Sequence, residues 1–173
     1  MIHPQKGYVP EGSYLTPFGK ARVLAPGTDV TLVGISYMVV ECIRAHSQLA
    51  KVGISAEVID PVSLSPLDID TIVKSVVKTG RLIVVDTAWT MCGASAEIIA
   101  QVTEHLQGKQ DIRVRRMGFE PVPCPTTKKL ENLFYPNAQR IASMAYSLAY
   151  NGKKQWMPVG EEAPEIMEFK GPF

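Results

Sequence analysis

Cys92 is the residue whose type and position most suggest chemistry. It stands just before a predicted helix N-terminus, where the helix amides can stabilise a thiolate nucleophile. No histidine lies nearby in the sequence to serve as its base, so we favour a small residue packed between a strand and a helix. The three histidines, His3, His46 and His105, fall in the N-terminal leader and on two predicted helices, where solvated surface positions are expected.

Binding motifs with a fixed spacing are absent from the sequence. It has no GxGxxG or GxxxxGK(S/T) loop for phosphates, and no HExxH, CxxC or clustered His/Asp/Glu set for a metal. Tyr37 and Trp89 follow predicted strand ends, where they either line a pocket or cover an interface, and the sequence leaves both alternatives open. Arg115 and Arg116 could attract an anion, although an exposed edge strand explains them equally.

Apolar runs that alternate with amphipathic stretches must position these residues. Five runs predict strands, over 21–24, 30–35, 55–59, 82–85 and 112–117. Four stretches predict helices, over 37–51, 65–80, 95–106 and 137–150. The run 82–85 is apolar throughout, which is typical of a strand covered by helices on both faces. The pattern predicts a three-layer α/β/α domain with a five-stranded, mostly parallel sheet.

Local signals add detail to these elements. The turn at 25–29 suggests a hairpin between the first two strands, with the first strand forming an antiparallel edge. Ser65 is the expected N-cap of the second helix. On the first helix, the predicted solvent face holds Glu41, Arg44, Gln48 and Lys51. The opposite, buried face is expected to hold Val39, Ile43 and Ala50.

The composition favours a cytosolic protein. The 173 residues have a net charge of +1, which gives no electrostatic case for binding nucleic acid or an anionic membrane. Three widely spaced cysteines form no disulfide framework, so a reducing cytoplasm is expected. We expect an interdomain linker over 1–17, one domain over 18–150 and an extended tail over 151–173, which contains an acidic run.

An ordered series of short segments resembles one known family. These segments include 9–14, 17–21, 27–33, 53–60, 65–68, 75–81 and 93–97, followed by Pro121, Pro123, Leu130-Glu131 and Pro136-Asn137. They are similar to the C-terminal domain of β subunits of thiamine-diphosphate-dependent 2-oxo acid dehydrogenases of the pyruvate and branched-chain type. This domain belongs to the transketolase C-terminal-domain superfamily, and the resemblance extends over about 7–150.

The resemblance implies that the chemistry lies elsewhere in a longer enzyme. Thiamine diphosphate and Mg would bind between two other domains, which also supply the activating glutamate and the proton-handling histidine. We therefore expect no catalytic, cofactor-binding or metal-binding residue here, and an assembly or regulatory role for this domain. The implied partners are a dehydrogenase α subunit, a second β subunit and an acyltransferase core.

Three departures from the family pattern limit what can be transferred. Asp86 and Thr87 stand where the family commonly has a glutamate after the central strand. The helix entry 92–95 has fewer glycines than the Gly-Gly-x-Gly of many members, which leaves a less open approach for an anion. Lys109 falls where complex-forming members can carry an acid, which argues against docking to an acyltransferase core.

The family's sheet order predicts a crevice where two strands end, near Gly34 and at Asp86. The residues expected there are Ser36, Tyr37, Asp86, Trp89, Gly93, Ala94 and Ser95. A small anion should bind at the amides of 93–95. Two other functions stay open: the C-terminal domain of another transketolase-superfamily enzyme, or a free-standing module that binds small anions or uses Cys92.

Overall fold

The protein's architecture is taken from a computed structural model that describes residues 11–12 and 15–158. The strands are β1 (Arg22–Ala25), β2 (Val30–Gly34), β3 (Ala56–Asp60), β4 (Arg81–Trp89) and β5 (Arg113–Phe119). The helices are α1 (Met38–Ala50), α2 (Ile69–Thr79), α3 (Ala94–Leu106), α4 (Lys128–Phe134) and α5 (Ala138–Ala149). Within the described ranges, none of these helices is both long enough and apolar enough to cross a membrane.

The strands form one sheet in the order β1-β3-β2-β4-β5. Strands β2 to β5 pair in parallel, and β1 runs antiparallel to β3 at the edge. One cluster of buried side chains joins the sheet to α1 and α5, and a second joins it to α2 and α3. The predicted three-layer fold with an antiparallel edge strand is therefore confirmed.

The predicted hairpin between β1 and β2 is wrong, because β1 pairs with β3 instead. The connecting turn crosses the start of β3, where the Thr28 and Asp29 amides donate to the Ser55 carbonyl at 3.1 and 2.8 Å. Gly27 lies so close to β3 that a Cβ atom there would come within 2.2 Å of the Ala56 carbonyl carbon. The inner position beside β2 is taken by the buried strand β3, and the more exposed β1 occupies the edge.

The predicted buried face of α1 is also wrong. The buried residues of this helix are Met38, Glu41, Cys42, Ala45 and Leu49, whereas Ile43 is 40% exposed. Glu41 was predicted on the solvent face, but its carboxylate is buried and accepts hydrogen bonds from two donors. Arg44 contacts its Oε1 atom at 2.6 Å, and the Ala138 amide at the start of α5 donates to its Oε2 atom at 2.8 Å. A buried charge is tolerated when it is paired in this way.

The other helices agree with those predicted from the sequence, with two exceptions. The N-cap of α2 is Asp68, not Ser65, and its carboxylate accepts from the Thr71 amide at 3.3 Å and from the Ala21 amide at 3.0 Å. The short helix α4 was not predicted. The predicted α3 and α5 were correct to within one residue at each end, and α5 begins after the N-cap Asn137.

Candidate functional site

The crevice predicted between β2 and β4 lies where the sheet changes its direction of growth. Strand β2 pairs with both β3 and β4, and the Ile35 amide continues the pairing by donating to the Val85 carbonyl at 2.9 Å. The helix after β2 packs on one face of the sheet, and the helix after β4 packs on the other. Two loops therefore diverge at this edge, which is where open α/β sheets bind ligands.

The β4–α3 connection brings three of the predicted residues together. Asp86 is 3% exposed, and its Oδ2 atom accepts from the Ser95 amide at 3.1 Å. Gly93 fits between them, since a Cβ atom there would lie 2.4 Å from the Trp89 carbonyl oxygen and 3.2 Å from Asp86 Oδ2. The N-terminus of α3 thus already binds a carboxylate from its own chain. The buried Oγ atom of Ser95 has no hydrogen-bond partner among the described residues.

The other predicted crevice residues are more dispersed. Ser36 is exposed and has a φ of 58°, a strained conformation for a residue other than glycine. Tyr37 is the N-cap of α1 and packs against the core on the α1–α5 side of the sheet. Ala94 packs on the opposite, α2–α3 side, and the Trp89 side chain is 55% exposed. The structure therefore supports a polar contact at Asp86 and Ser95, with Tyr37 held in the other layer.

The packed role that we favoured for Cys92 is wrong, because its side chain is exposed. Its φ of 58° places it in the left-handed region, just before the N-cap of α3. The buried cysteine is Cys42, on α1. Burial, followed by the neighbouring charge of Glu41, raises the pKa of the Cys42 thiol far above its usual value. Cys42 is therefore an inert core residue.

The two histidines that the structure describes, His46 and His105, belong to no group that could hold a metal ion. His105 is exposed as predicted, and its Nδ1 atom lies 2.7 Å from the Gln101 carbonyl oxygen. His46 is half-buried rather than solvated, with Nδ1 2.7 Å from the Ala56 carbonyl oxygen. His3 lies outside the described residues. Across the described part of the chain, no group of three or more His, Cys, Asp or Glu side chains could hold a metal ion.

A buried polar network between the sheet and α2 was missed from the sequence. Glu57, 4% exposed, pairs with Lys78, and its Oε2 atom accepts from the Gly27 amide at 3.2 Å. Burial opposes ionisation of Glu57, but hydrogen bonds from Lys78, Ser75 and Gly27 outweigh it and lower its pKa. Nothing in the local sequence pairs β3 with α2, so only the fold shows this network.

Apolar side chains are exposed around the carboxyl edge of the sheet. We call Trp89, Met91, Val122, Leu130 and Leu133 the carboxyl-edge patch, and each is at least 50% exposed. The Phe119 ring at the end of β5 lies 5.1 Å from the Phe134 ring of α4, which fixes α4 beside this edge. Exposed apolar surface of this kind is typical of a protein interface.

The fold defines a class of three-layer α/β domain, with one five-stranded sheet between two layers of helices. Residues 19–141 match the family model described as transketolase, C-terminal domain. The chain belongs to this family.

The chain is similar in sequence to β subunits of two named enzymes. The chain is 40% identical over 152 residues to the β subunit of acetoin:2,6-dichlorophenolindophenol oxidoreductase of Cupriavidus necator, covering 88% of this chain and 45% of the relative. It is 41% identical over 140 residues to the mitochondrial pyruvate dehydrogenase E1 component subunit beta of Dictyostelium discoideum, covering 81% of this chain and 39% of the relative. The predicted resemblance to such β subunits is confirmed. The chain spans less than half the length of these relatives.

A solved structure has a similar fold. It is described as a split gene transketolase, inactive beta4 tetramer, and it superposes with a TM-score of 0.67 at 26% identity. The match covers 78% of this chain and 44% of that chain.

Proposed function

We propose that this chain is the C-terminal assembly and regulatory domain of the β subunit of a thiamine-diphosphate-dependent 2-oxo acid dehydrogenase. The whole enzyme would decarboxylate pyruvate or a branched-chain 2-oxo acid oxidatively. The observation that carries the proposal is the identity of about 40% to β subunits over more than four fifths of the chain. Acetoin is a second candidate substrate, since the Cupriavidus necator relative is named for it.

Among the described residues, the N-terminus of α3 does not fit the diphosphate group of thiamine diphosphate. A diphosphate needs donors and compensating positive charge, and helix N-termini often supply both. Here the Asp86 carboxylate already accepts from the Ser95 amide at the α3 N-terminus, where it would repel a second anion. We therefore place the cofactor and its Mg in other parts of the whole enzyme, with none held by this domain.

The proposed partners are an α subunit and a second β subunit. The carboxyl-edge patch supports them, because it exposes apolar surface that a neighbouring subunit could cover. Docking to an acyltransferase core has weaker support, since the exposed Lys109 would repel a basic partner. We place the assembly in the cytosol, which suits the three free cysteines Cys42, Cys92 and Cys124.

We further propose that 18–150 is the folding unit, that 1–17 links it to a preceding domain and that 151–173 is a tail. The five strands form one sheet, and α1, α2, α3 and α5 pack on its two faces, which supports this division. Neither a domain of another transketolase-superfamily enzyme nor a free-standing anion-binding module has comparable support.

Calorimetry with thiamine diphosphate and Mg²⁺ tests the proposed division of labour. We expect no saturable heat when the chain is titrated to ligand concentrations of about 1 mM, because the α3 N-terminus is already occupied by Asp86. Binding in the micromolar range would contradict the proposal and favour a chain that holds its own cofactor.

A further inference from the structure

A groove of about 880 Å³ lies between β5 and α5, on the α1–α5 side of the sheet, and its volume is within the usual range of binding sites. Helix α5 contacts β2 and β4, so the groove opens beside the edge strand β5. Met117 and Leu148 are nearly buried at its floor, and Met157 is 54% exposed. With Met144, three of the chain's seven methionines line the groove. Methionine adapts to the shape of its neighbours, which suits a surface that binds apolar side chains.

The segment that follows α5 forms one wall of the groove. Asn151 and Gly152 have φ values of 60° and 77°, and the Gly152 amide donates to the Ser147 carbonyl at 2.7 Å, so the chain turns back. The Trp156 ring then packs against the Tyr146 ring at a centroid distance of 5.4 Å. The groove is therefore lined by three parts of the fold, which are β5, α5 and this segment.

The backbone of β5 directs hydrogen-bonding groups away from the sheet. The Arg113 amide donates to the Gly80 carbonyl at 3.0 Å, on the β4 side. Backbone amides alternate in direction along a strand, so those of Val114 and Arg116 point to the other side. No described strand pairs with that side, where the Arg115 guanidinium donates to the Val114 carbonyl at 3.0 Å. An extended segment that adds here would find backbone donors and acceptors already in place.

Three arginines give this edge a positive charge. Arg113, Arg115 and Arg116 are exposed, and none of them has an acidic partner among the described residues. The Arg116 guanidinium instead donates to the Thr90 carbonyl at 2.6 Å. Two copies of β5 that met edge to edge would bring these like charges together, which is destabilising. An acidic partner is favoured by the same charges.

We propose that β5 and this groove bind an extended, acidic segment of another protein chain as an added strand. Carboxylates of the segment pair with the three arginines, and its apolar side chains lie opposite Val114 and Met117. The order of residues in β5 thus calls for a partner that reads acid-apolar-acid-acid-apolar. Such binding would be independent of the proposed enzymatic role of the chain.

NMR titration of the full chain with blocked nine-residue peptides tests the proposal. Each peptide has the core Glu-Val-Glu-Glu-Ile, in one of the two chain directions, between two pairs of threonines. We expect one direction to shift the amides of Val114 and Arg116 saturably, with a dissociation constant below about 200 μM. The matched peptide with lysine in place of glutamate should leave these amides unchanged. The absence of a saturable shift with either acidic peptide would overturn the proposal.

Variants of the chain test the role of the arginines. Arg113→Gln with Arg115→Gln should weaken binding of the acidic peptide at least tenfold, because two charge-assisted contacts are lost. The matched control, Arg22→Gln with Lys109→Gln, removes two exposed cations elsewhere and should bind normally. Equal affinities of the two variants would contradict the proposed pairing. In the wild-type chain, raising NaCl from 0.05 to 0.5 M should also weaken binding, which keeps the test valid if a variant folds poorly.

Two other occupants of this edge would overturn the proposal. Shifts of the β5 amides that appear without peptide as the protein is concentrated, together with a dimer in sedimentation, would assign the edge to a second copy. Tighter binding of a nine-nucleotide thymidylate than of the acidic peptide would assign the arginines to nucleic acid. We expect a monomer and weaker binding of the thymidylate.

Discussion

Three buried carboxylates connect separate parts of this fold. Glu41 joins α1 to the start of α5, Glu57 joins β3 to α2, and Asp86 joins β4 to the start of α3. Each is at most 6% exposed and each accepts at least one hydrogen bond from a backbone amide. Burial of an unpaired carboxylate is costly, so these contacts fix where the helices begin and how they lie on the sheet.

Glu41→Ala should be strongly destabilising. The change removes the acceptor of the Ala138 amide and leaves that buried donor without its partner. A hydrogen bond to a charged group contributes about 1.5–3 kcal/mol, so we expect a loss in this range in the free energy of unfolding, measured by urea denaturation. Glu104→Ala, at an exposed position of α3, is the control and should change it by less than about 0.5 kcal/mol. Equal effects would show that the Glu41 contact contributes nothing specific.

Glu57→Gln should change how stability depends on pH. The pKa of Glu57 is lowered in the folded state, so its contribution is present above the unfolded value of about 4.3 and is lost as the pH falls through the folded value. The thermal midpoint of the variant should be a few degrees below wild type at pH 7, since each kcal/mol shifts it by about 2–4 °C at this length. The difference should shrink towards pH 3. A difference that is constant with pH would mean that the charge of Glu57 is not responsible.

At the scale of elements, the N-terminus of α3 is bound by a carboxylate from the preceding strand, β4. The Asp86 carboxylate occupies the position where a bound anion would be expected, and the Ser95 hydroxyl beside it is buried without a described partner. The anion site proposed at 93–95 therefore requires an anion to compete with Asp86.

Asp86→Ser should strengthen anion binding at this helix. Removing the carboxylate frees the Ser95 amide and removes a repulsive charge, while the Ser95 hydroxyl is available as a further donor. Titration with sulfate, followed by NMR at the amides of 93–95, should give an affinity at least tenfold higher than in wild type at constant ionic strength. Shifts confined to other regions in both proteins would rule out the crevice as an anion site.

Sequence patterns predicted the elements whose periodicity is local. Helix α5, with its N-cap Asn137 and buried Ile141, was correct because one apolar stripe faces the core. The face of α1 was wrong because Glu41 is satisfied by a residue 97 positions away. The β1–β2 hairpin failed for the same reason, since the partner of β1 lies beyond α1 in the chain. The strand pairing depends on a long-range contact that no local pattern encodes, whereas the buried stripe Met38, Cys42, Ala45 and Leu49 has helical spacing in the sequence and was missed.

At the scale of the whole molecule, the carboxyl-edge patch exposes apolar side chains that a partner subunit could cover. Its five apolar residues come from β4, from α4 and from the loops beside them, so the patch depends on the complete fold. At the opposite edge, where β3 begins, Glu57 instead forms polar contacts with Gly27 and Lys78.

Leu130→Ser with Leu133→Ser should reduce association with an α subunit. The two side chains are 53% and 64% exposed on α4, so the change should leave the fold intact while removing apolar contact area. We expect at least a tenfold loss of affinity when the chain is titrated with the α subunit of the same enzyme. Val77→Ser, at a 50% exposed position of α2, is the matched control and should bind normally. Normal binding by the Leu130/Leu133 variant would exclude the patch from that interface.

The exposed Cys92 gives this domain a natural attachment point for a spectroscopic probe. Cys42 is buried and its thiol stays protonated, so replacing Cys124 by serine would leave one labelling position in the native chain. A fluorophore or spin label at Cys92 would lie in the connection between β4 and α3, next in the chain to Met91 of the carboxyl-edge patch. The turn that first suggested a nucleophile would then serve to measure distances across an assembled enzyme.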